Sequence, residues 1–124
     1  MSIETDFKAL LAAHAPLTAL VGTRISQHAV DQGAALPLVV FAAARDPQLG
    51  LDGDAQVELA TFSVECWAQR GVDAQAVATQ VKAAVDAFDA VQTSVSVTVT
   101  ADQSAYDAEL KLDGQVLTVE WWRL

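Results

Sequence analysis

The spacing of apolar and polar residues predicts two short helices near the start of the chain. The first is expected to reach about Ala13 after a cap at Ser2 or Thr5. The second is expected over residues 17–21, where a proline is tolerated in the first turn and Gly22 is a suitable C-cap. The apolar stripe of the first helix consists of Phe7, Leu10 and Leu11.

The two most regular patterns lie in the middle of the chain. A helical pattern runs from a cap at Asp73 to about Phe88, with a stripe at Val77, Val81, Ala84, Val85 and Phe88. Residues 57–69 alternate with period two, which predicts a long strand. Its core face is Ala60, Phe62, Val64 and Cys66. The other face, expected to be wetter or part of an interface, is Leu59, Thr61, Ser63, Glu65 and Trp67.

Shorter extended segments precede the long strand. A brief strand at residues 24–27 and a loop at 28–35 are followed by a strand that starts at Leu36-Pro37, where a proline is tolerated. Residues 38–41 are too apolar for a half-exposed strand, so this one is expected to be central. Glycines and a proline then mark residues 46–54 as a turn region.

The pattern in the last third of the chain predicts strands. Residues 93–100 alternate strictly, and strands at 105–112 and 116–123 flank Asp113-Gly114, a strong hairpin signal. Together the patterns predict a single α+β domain over 1–124. Its sheet is expected to be mostly antiparallel, with about four or five strands and helices packed on one face.

Composition narrows the class of partner. The chain has 124 residues, of which 52% are hydrophobic, so it can bury a core. Its net charge of -9 argues against direct contact with nucleic acid or an anionic membrane, since both need clustered cations. No apolar run approaches the ~20 residues of a membrane-spanning helix. One cysteine excludes an internal disulfide, and synthesis in the cytoplasm is expected.

Candidate catalytic and metal-binding residues are few. His14 and His28 are too isolated for a convincing metal site, although Asp31 near His28 offers a ligand pair. Cys66 falls on the predicted core face, whereas a catalytic thiol needs a partly exposed electropositive setting. Residues 50–54 resemble part of a calcium loop but lack its alternating acids, so a turn is favoured. We therefore expect no catalytic, cofactor or metal site, and no enzyme.

Apolar residues in the turn and the tryptophans are better candidates for protein contacts. Exposed leucines in a loop often contact a partner, although local packing explains them equally well. Trp121 and Trp122 are adjacent, so in a strand they face opposite ways, and one of them or Trp67 is expected at an interface. The candidate interface residues are Leu49, Leu51, Asp52, Gly53, Trp67, Trp121 and Trp122.

The order of these segments resembles the tail-completion, or tail-terminator, family of long-tailed (siphovirus-like) phages, prophages and gene transfer agents. No single motif is specific, but the ordered set covers nearly the whole chain. The stretches that carry it are LTALVGTRI (17–25), QGAALPLVV (32–40), LDG (51–53), VECWA (64–68) and LTVEWW (117–122).

The resemblance implies a structural subunit and not an enzyme. It implies a hexameric ring at the head-proximal end of the tail tube, which ends tube polymerisation and presents a surface to the head connector. The implied partners are further copies of the chain, the tail tube protein and the head-completion or connector protein. Synthesis in the bacterial cytoplasm would be followed by assembly at the head–tail junction of a virion or phage-like particle.

Two other classes of function are compatible with the sequence. One is a small-molecule or peptide-binding module that uses the open sheet face and Trp67. The other is a hydrolase in which Cys66 or a serine is activated by His28, and this one lacks the spacing of a base and its orienting group.

Overall fold

A computed structural model describes residues 3–27, 35–49, 55–93 and 95–123, with side chains at all of these except 45–49, 55–58 and 123. The described part contains three helices and a five-stranded sheet, which confirms the predicted α+β class. In chain order the elements are α1 (Ile3–Ala12), α2 (Ala15–Val21), β1 (Ile25–Gln27), β2 (Leu38–Leu49), β3 (Ala55–Ala68), α3 (Gly71–Asp89), β4 (Val95–Asp107) and β5 (Leu112–Arg123).

The sheet is mixed, with strand order β1-β2-β3-β5-β4. Within the described ranges only the short β1 pairs in parallel, with β2, and the other three pairings are antiparallel. Arg24 holds the parallel pair together, because its Nε donates to the Pro37 carbonyl oxygen at 2.9 Å and its own carbonyl oxygen accepts from the Val39 amide. The apolar β2 therefore lies inside the sheet, as its composition predicts.

The helices pack on one face of the sheet and enclose the core. Phe7 of α1 stacks on Phe62 of β3, with ring centroids 4.1 Å apart, and meets Phe41 of β2 edge-on at 5.2 Å. The predicted core face of β3 is confirmed, since all four of its side chains are 0% exposed. Burial of each such aliphatic or phenyl side chain contributes about 1.5–3 kcal/mol to folding.

The stripe of α3 completes this core. Val77, Val81, Ala84 and Val85 are buried, and Phe88 is partly buried against the ring of Trp121 at a centroid distance of 5.3 Å. The helix starts at Gly71 rather than at Asp73, and its N-cap residue makes no side-chain cap bond. No helix in the described ranges has the length and apolar character needed to cross a membrane.

The predicted hairpin turn at Asp113-Gly114 is wrong. Both residues lie inside β5, opposite Ala68 and Trp67 of β3. The turn is at residues 108–111, where Oδ1 of Asp107 accepts bonds from the Glu109 and Leu110 amides. That side-chain turn closes the hairpin, and Lys111 takes the positive φ of 56° instead of a glycine.

Gly114 instead allows the Trp67 side chain to lie close to the backbone of β5. A Cβ atom at this position would lie 2.6 Å from Cζ3 and 2.7 Å from Cε3 of Trp67, so the indole ring lies directly over the backbone of β5. Only glycine leaves room for that ring.

Other boundaries of helices and strands differ from the predicted ones by several residues. Residues 46–49, which were expected in the turn, belong to β2, and β3 begins at Ala55, while residues 50–54 lie outside the described residues. Thr5 lies inside α1 and so does not cap it, while Ser2 lies outside the described residues. Gly22 does end α2, with φ at 59°, as expected.

The separate strand predicted at 105–112 is wrong, because β4 runs without a break from Val95 to Asp107 and residues 108–111 form the turn before β5. Its pairing with β5 shifts between Val99 and Ala101, where a bulge interrupts the regular alternation. Nearby, the Val97 amide on the outer edge donates to Oδ1 of Asp89 at 2.9 Å, so a helix side chain occupies one edge position.

Replacing Gly114 with alanine should destabilise the protein by about 1–3 kcal/mol, since the added methyl group forces the Trp67 ring off β5. The matched control is Gly71→Ala, where the nearest atom would be Oδ2 of Asp113 at 3.7 Å, an ordinary contact. Urea unfolding of both variants measures the difference. Equal stability of the two variants would contradict the assigned role of Gly114.

Candidate interaction surface

The sheet face that points away from the helices is the candidate site, and we call it the open face. The three helices pack on the opposite face, around the core. Its centre is built by alternate residues of β3 and β5, and it continues onto Leu38 and Val40 of β2, which are buried. The central residues are Leu59, Thr61, Ser63, Glu65 and Trp67 of β3 with Val116, Thr118, Glu120 and Trp122 of β5.

Two tryptophan–glutamate pairs are its main chemical feature. Nε1 of Trp67 donates to Oε1 of Glu65 at 3.0 Å, and Nε1 of Trp122 donates to Oε2 of Glu120 at 3.2 Å. In each pair the glutamate lies two residues before the tryptophan, so period-two alternation puts both on one face. Each indole is therefore held in place by its own carboxylate and stays partly exposed.

The two pairs are related by the local two-fold symmetry of antiparallel strands. Ser63 of β3 lies opposite Thr118 of β5. Glu65 and Trp67 follow Ser63 in the same steps in which Glu120 and Trp122 follow Thr118. The face thus has a hydroxyl-bearing centre with a carboxylate and an indole on either side.

A groove of about 180 Å³ lies at the Trp67 end of this face. Leu110 in the turn after β4 borders it and is 66% exposed. The full lining is Leu38, Glu65, Trp67, Asp107, Leu110 and Leu112. An exposed leucine beside an indole and two carboxylates suits a side chain that has an apolar stem and a cationic end.

The candidate interface residues lie in different environments in the structure. Trp121 belongs to the core, because it is 1% exposed and its ring lies 6.2 Å from Phe62. It is not available as a surface contact, and this corrects its place among the candidates. Its neighbour Trp122 and Trp67 do lie on the open face. Trp121 Nε1 is the buried side-chain polar atom without a hydrogen-bond partner in the described part of the chain.

The turn candidates lie elsewhere. Leu49 ends β2 and pairs with Ala55 at the far end of the β2–β3 hairpin. Leu51, Asp52 and Gly53 lie outside the described residues. A contact role for this tip stays a prediction.

Of the residues considered for metal binding, one lies in the described ranges. Nε2 of His14 lies 3.2 Å from Oε1 of Gln80, which makes it a link between α2 and α3, whereas His28 and Asp31 lie outside the described residues. Across the described ranges no group of three His, Cys, Asp or Glu side chains is placed to hold a metal ion.

Cys66 is a buried thiol with low reactivity. It is 0% exposed, and burial, with smaller effects from Asp102 and Glu65, raises its pKa from 9.0 to about 12. A thiolate nucleophile needs the opposite environment.

A polar cluster on the helix side links α3 to the outer strand. Nζ of Lys82 lies 2.6 Å from Oδ2 of Asp102, and Gln115 donates to the other oxygen of that carboxylate. Hydrogen bonds from Lys82 and then Gln115 lower the pKa of Asp102 below its usual value. Because the pair is partly exposed, it contributes at most about 1 kcal/mol.

Comparison with known proteins gives both a family match and structural matches. The sequence model of a family described as "Tail completion protein gp17" matches residues 7–123. A solved chain described as "Virion of native gene transfer agent (GTA) particle" superposes with a TM-score of 0.79 at 20% identity, over 98% of this chain and 94% of that one. At this identity the superposition shows a shared fold. Comparison with curated proteins gives no match.

The raised pKa of Cys66 predicts how stability depends on pH. The unfolded thiol loses its proton above about pH 9, whereas the folded thiol keeps it to about pH 12. The stabilisation is complete below pH 9 and is lost as the pH rises, at up to about 1.4 kcal/mol per pH unit. Urea unfolding between pH 8.5 and 10.5 should show a steeper loss for the wild type than for Cys66→Ala. Parallel slopes would contradict the buried-thiol assignment.

Proposed function

Because the chain belongs to the tail completion protein gp17 family, and is therefore a structural protein of a phage-type tail, we propose that it caps the head-proximal end of the tail tube. In this role it ends tube polymerisation and joins the tail to the head connector. The proposed assembly is a hexameric ring. Its partners are neighbouring copies, the tail tube protein and the head-completion protein, and it is incorporated from the bacterial cytoplasm into the particle.

The observation that carries the proposal is the open face. A core-forming sheet normally covers both faces or leaves a polar one, but this face carries two fixed, half-buried tryptophans. Tryptophan is enriched at protein interfaces because a large rigid ring contributes much contact area at a low entropy cost. We assign Trp67 and Trp122 to protein contacts in the particle. The β2–β3 tip, with Leu49, Leu51, Asp52 and Gly53, is proposed as a second contact.

The binding-module alternative has less support from the geometry. The groove at the Trp67 end has about 180 Å³, whereas sites for drug-sized ligands have roughly 300–1,000 Å³. The paired tryptophans are spread along the face instead of converging on one pocket. A broad surface of this kind suits a protein partner. Because Cys66 is buried, it also offers the hydrolase alternative no accessible thiol.

Location in the particle is the direct test of the proposed role. Particles released from the source organism and labelled with gold-tagged antibody against this chain should carry gold at the head–tail junction. An antibody against the major head protein gives the reference pattern. Label spread along the tail, or at its far tip, would overturn the capping role while leaving a tail protein.

A substitution at Trp122 tests the contact surface. Trp122→Thr should leave the monomer folded but yield separate heads and tails, counted by electron microscopy, because the open face loses a contact residue. The matched control is Tyr106→Thr, which removes a 62% exposed aromatic side chain from β4. Circular dichroism checks that both variants fold. Joined particles in normal number from Trp122→Thr would exclude this residue from the interface.

A further inference from the structure

The open face carries charge of one sign. Among its strand positions with described side chains, the charged residues are Glu65, Glu120 and Asp107, all acidic. Each of the two glutamates uses one oxygen for an indole N–H. Among the described residues nothing else donates to either carboxylate, so the second oxygen of each can accept from a donor above the sheet.

A carboxylate fixed beside an indole has the chemistry of a site for a cationic side chain. An arginine or lysine placed there forms a charge-assisted hydrogen bond to the carboxylate and lies against the ring face. The hydrogen bond within each pair fixes both groups beforehand, so little side-chain entropy is lost on binding. The leucines at the Trp67 end would contact the aliphatic stem of such a side chain.

The distance between the two pairs defines the partner further. Glu65 lies opposite Val116, and Glu120 is four residues further along β5. At about 3.4 Å per residue the two carboxylates are ~14 Å apart along the strands. An extended chain covers this distance with two basic residues at positions i and i+4, whose side chains point the same way.

Charge also decides between a copy of this chain and a different protein. Each copy carries a net charge of -9, with seven lysines and arginines against 16 acids, so a basic segment of a different protein complements this acidic face better than the surface of another copy does. We propose that the open face binds a basic segment of a different protein, with two arginine or lysine side chains engaging the Glu65–Trp67 and Glu120–Trp122 pairs. This deepens the contact surface proposed above by naming the chemistry of its partner.

The test uses the full chain and a synthetic nine-residue peptide with arginines at positions 3 and 7 among alternating valine and threonine. Three tryptophans give three indole N–H signals by nuclear magnetic resonance. The peptide should shift the Trp67 and Trp122 signals and leave that of the buried Trp121 unchanged. Peptides with glutamates at 3 and 7, or with arginines at 3 and 4, should bind at least tenfold more weakly.

Charge-neutral variants separate site binding from general attraction. Glu65→Gln combined with Glu120→Gln keeps an acceptor for each indole and should weaken binding about tenfold, the sum of two modest cation contacts. Asp73→Asn with Asp86→Asn removes the same charge from exposed positions on α3 and should change little. Equal affinities of the two double variants, or a peptide that shifts neither open-face signal, would overturn the proposal. The assay needs no particle, so its failure would leave the capping role to be decided by gold labelling.

Discussion

β3 and β5 form the antiparallel pair at the centre of the sheet, and their register decides which side chains are buried. Phe62 pairs with Val119 and Ala60 with Trp121, all of them in the core, while Trp67 pairs with Gly114 on the other face. A slip of one residue would send the core side chains into solvent and the glutamates into the core. The phenylalanine cluster, the α3 stripe and the open face all depend on this one alignment.

Periodicity alone predicts much of this arrangement. The alternation over β3 assigns its two faces correctly, and the apolar run in β2 places that strand inside the sheet. The stripe from Val77 to Phe88 identifies the helix that covers the core. These predictions agree with the structure because an element with one buried face needs apolar residues at a fixed spacing. That requirement holds whichever element packs against it.

What the sequence could not predict depends on contacts between distant residues. Asp113-Gly114 has the composition of a turn, but its glycine is needed under an indole ring 47 residues away in the chain. Which of Trp121 and Trp122 is buried follows from the register with β3, which no local pattern fixes. The two tryptophan–glutamate pairs were not predicted, although a sequence signal exists, since Glu-x-Trp occurs at 65–67 and again at 120–122.

The outer strand β4 has a consequence for how the protein behaves before assembly. A long strand at the border of a sheet offers unpaired backbone groups to any other chain and invites indiscriminate aggregation. Here Oδ1 of Asp89 accepts a hydrogen bond from the Val97 amide, and the bulge near Val99 bends the strand. The Lys82–Asp102 pair also places charges beside β4. These three features discourage further strands from joining at this border. Association of newly made subunits through β4 is therefore disfavoured, which favours contacts through side-chain surfaces over contacts through this border of the sheet.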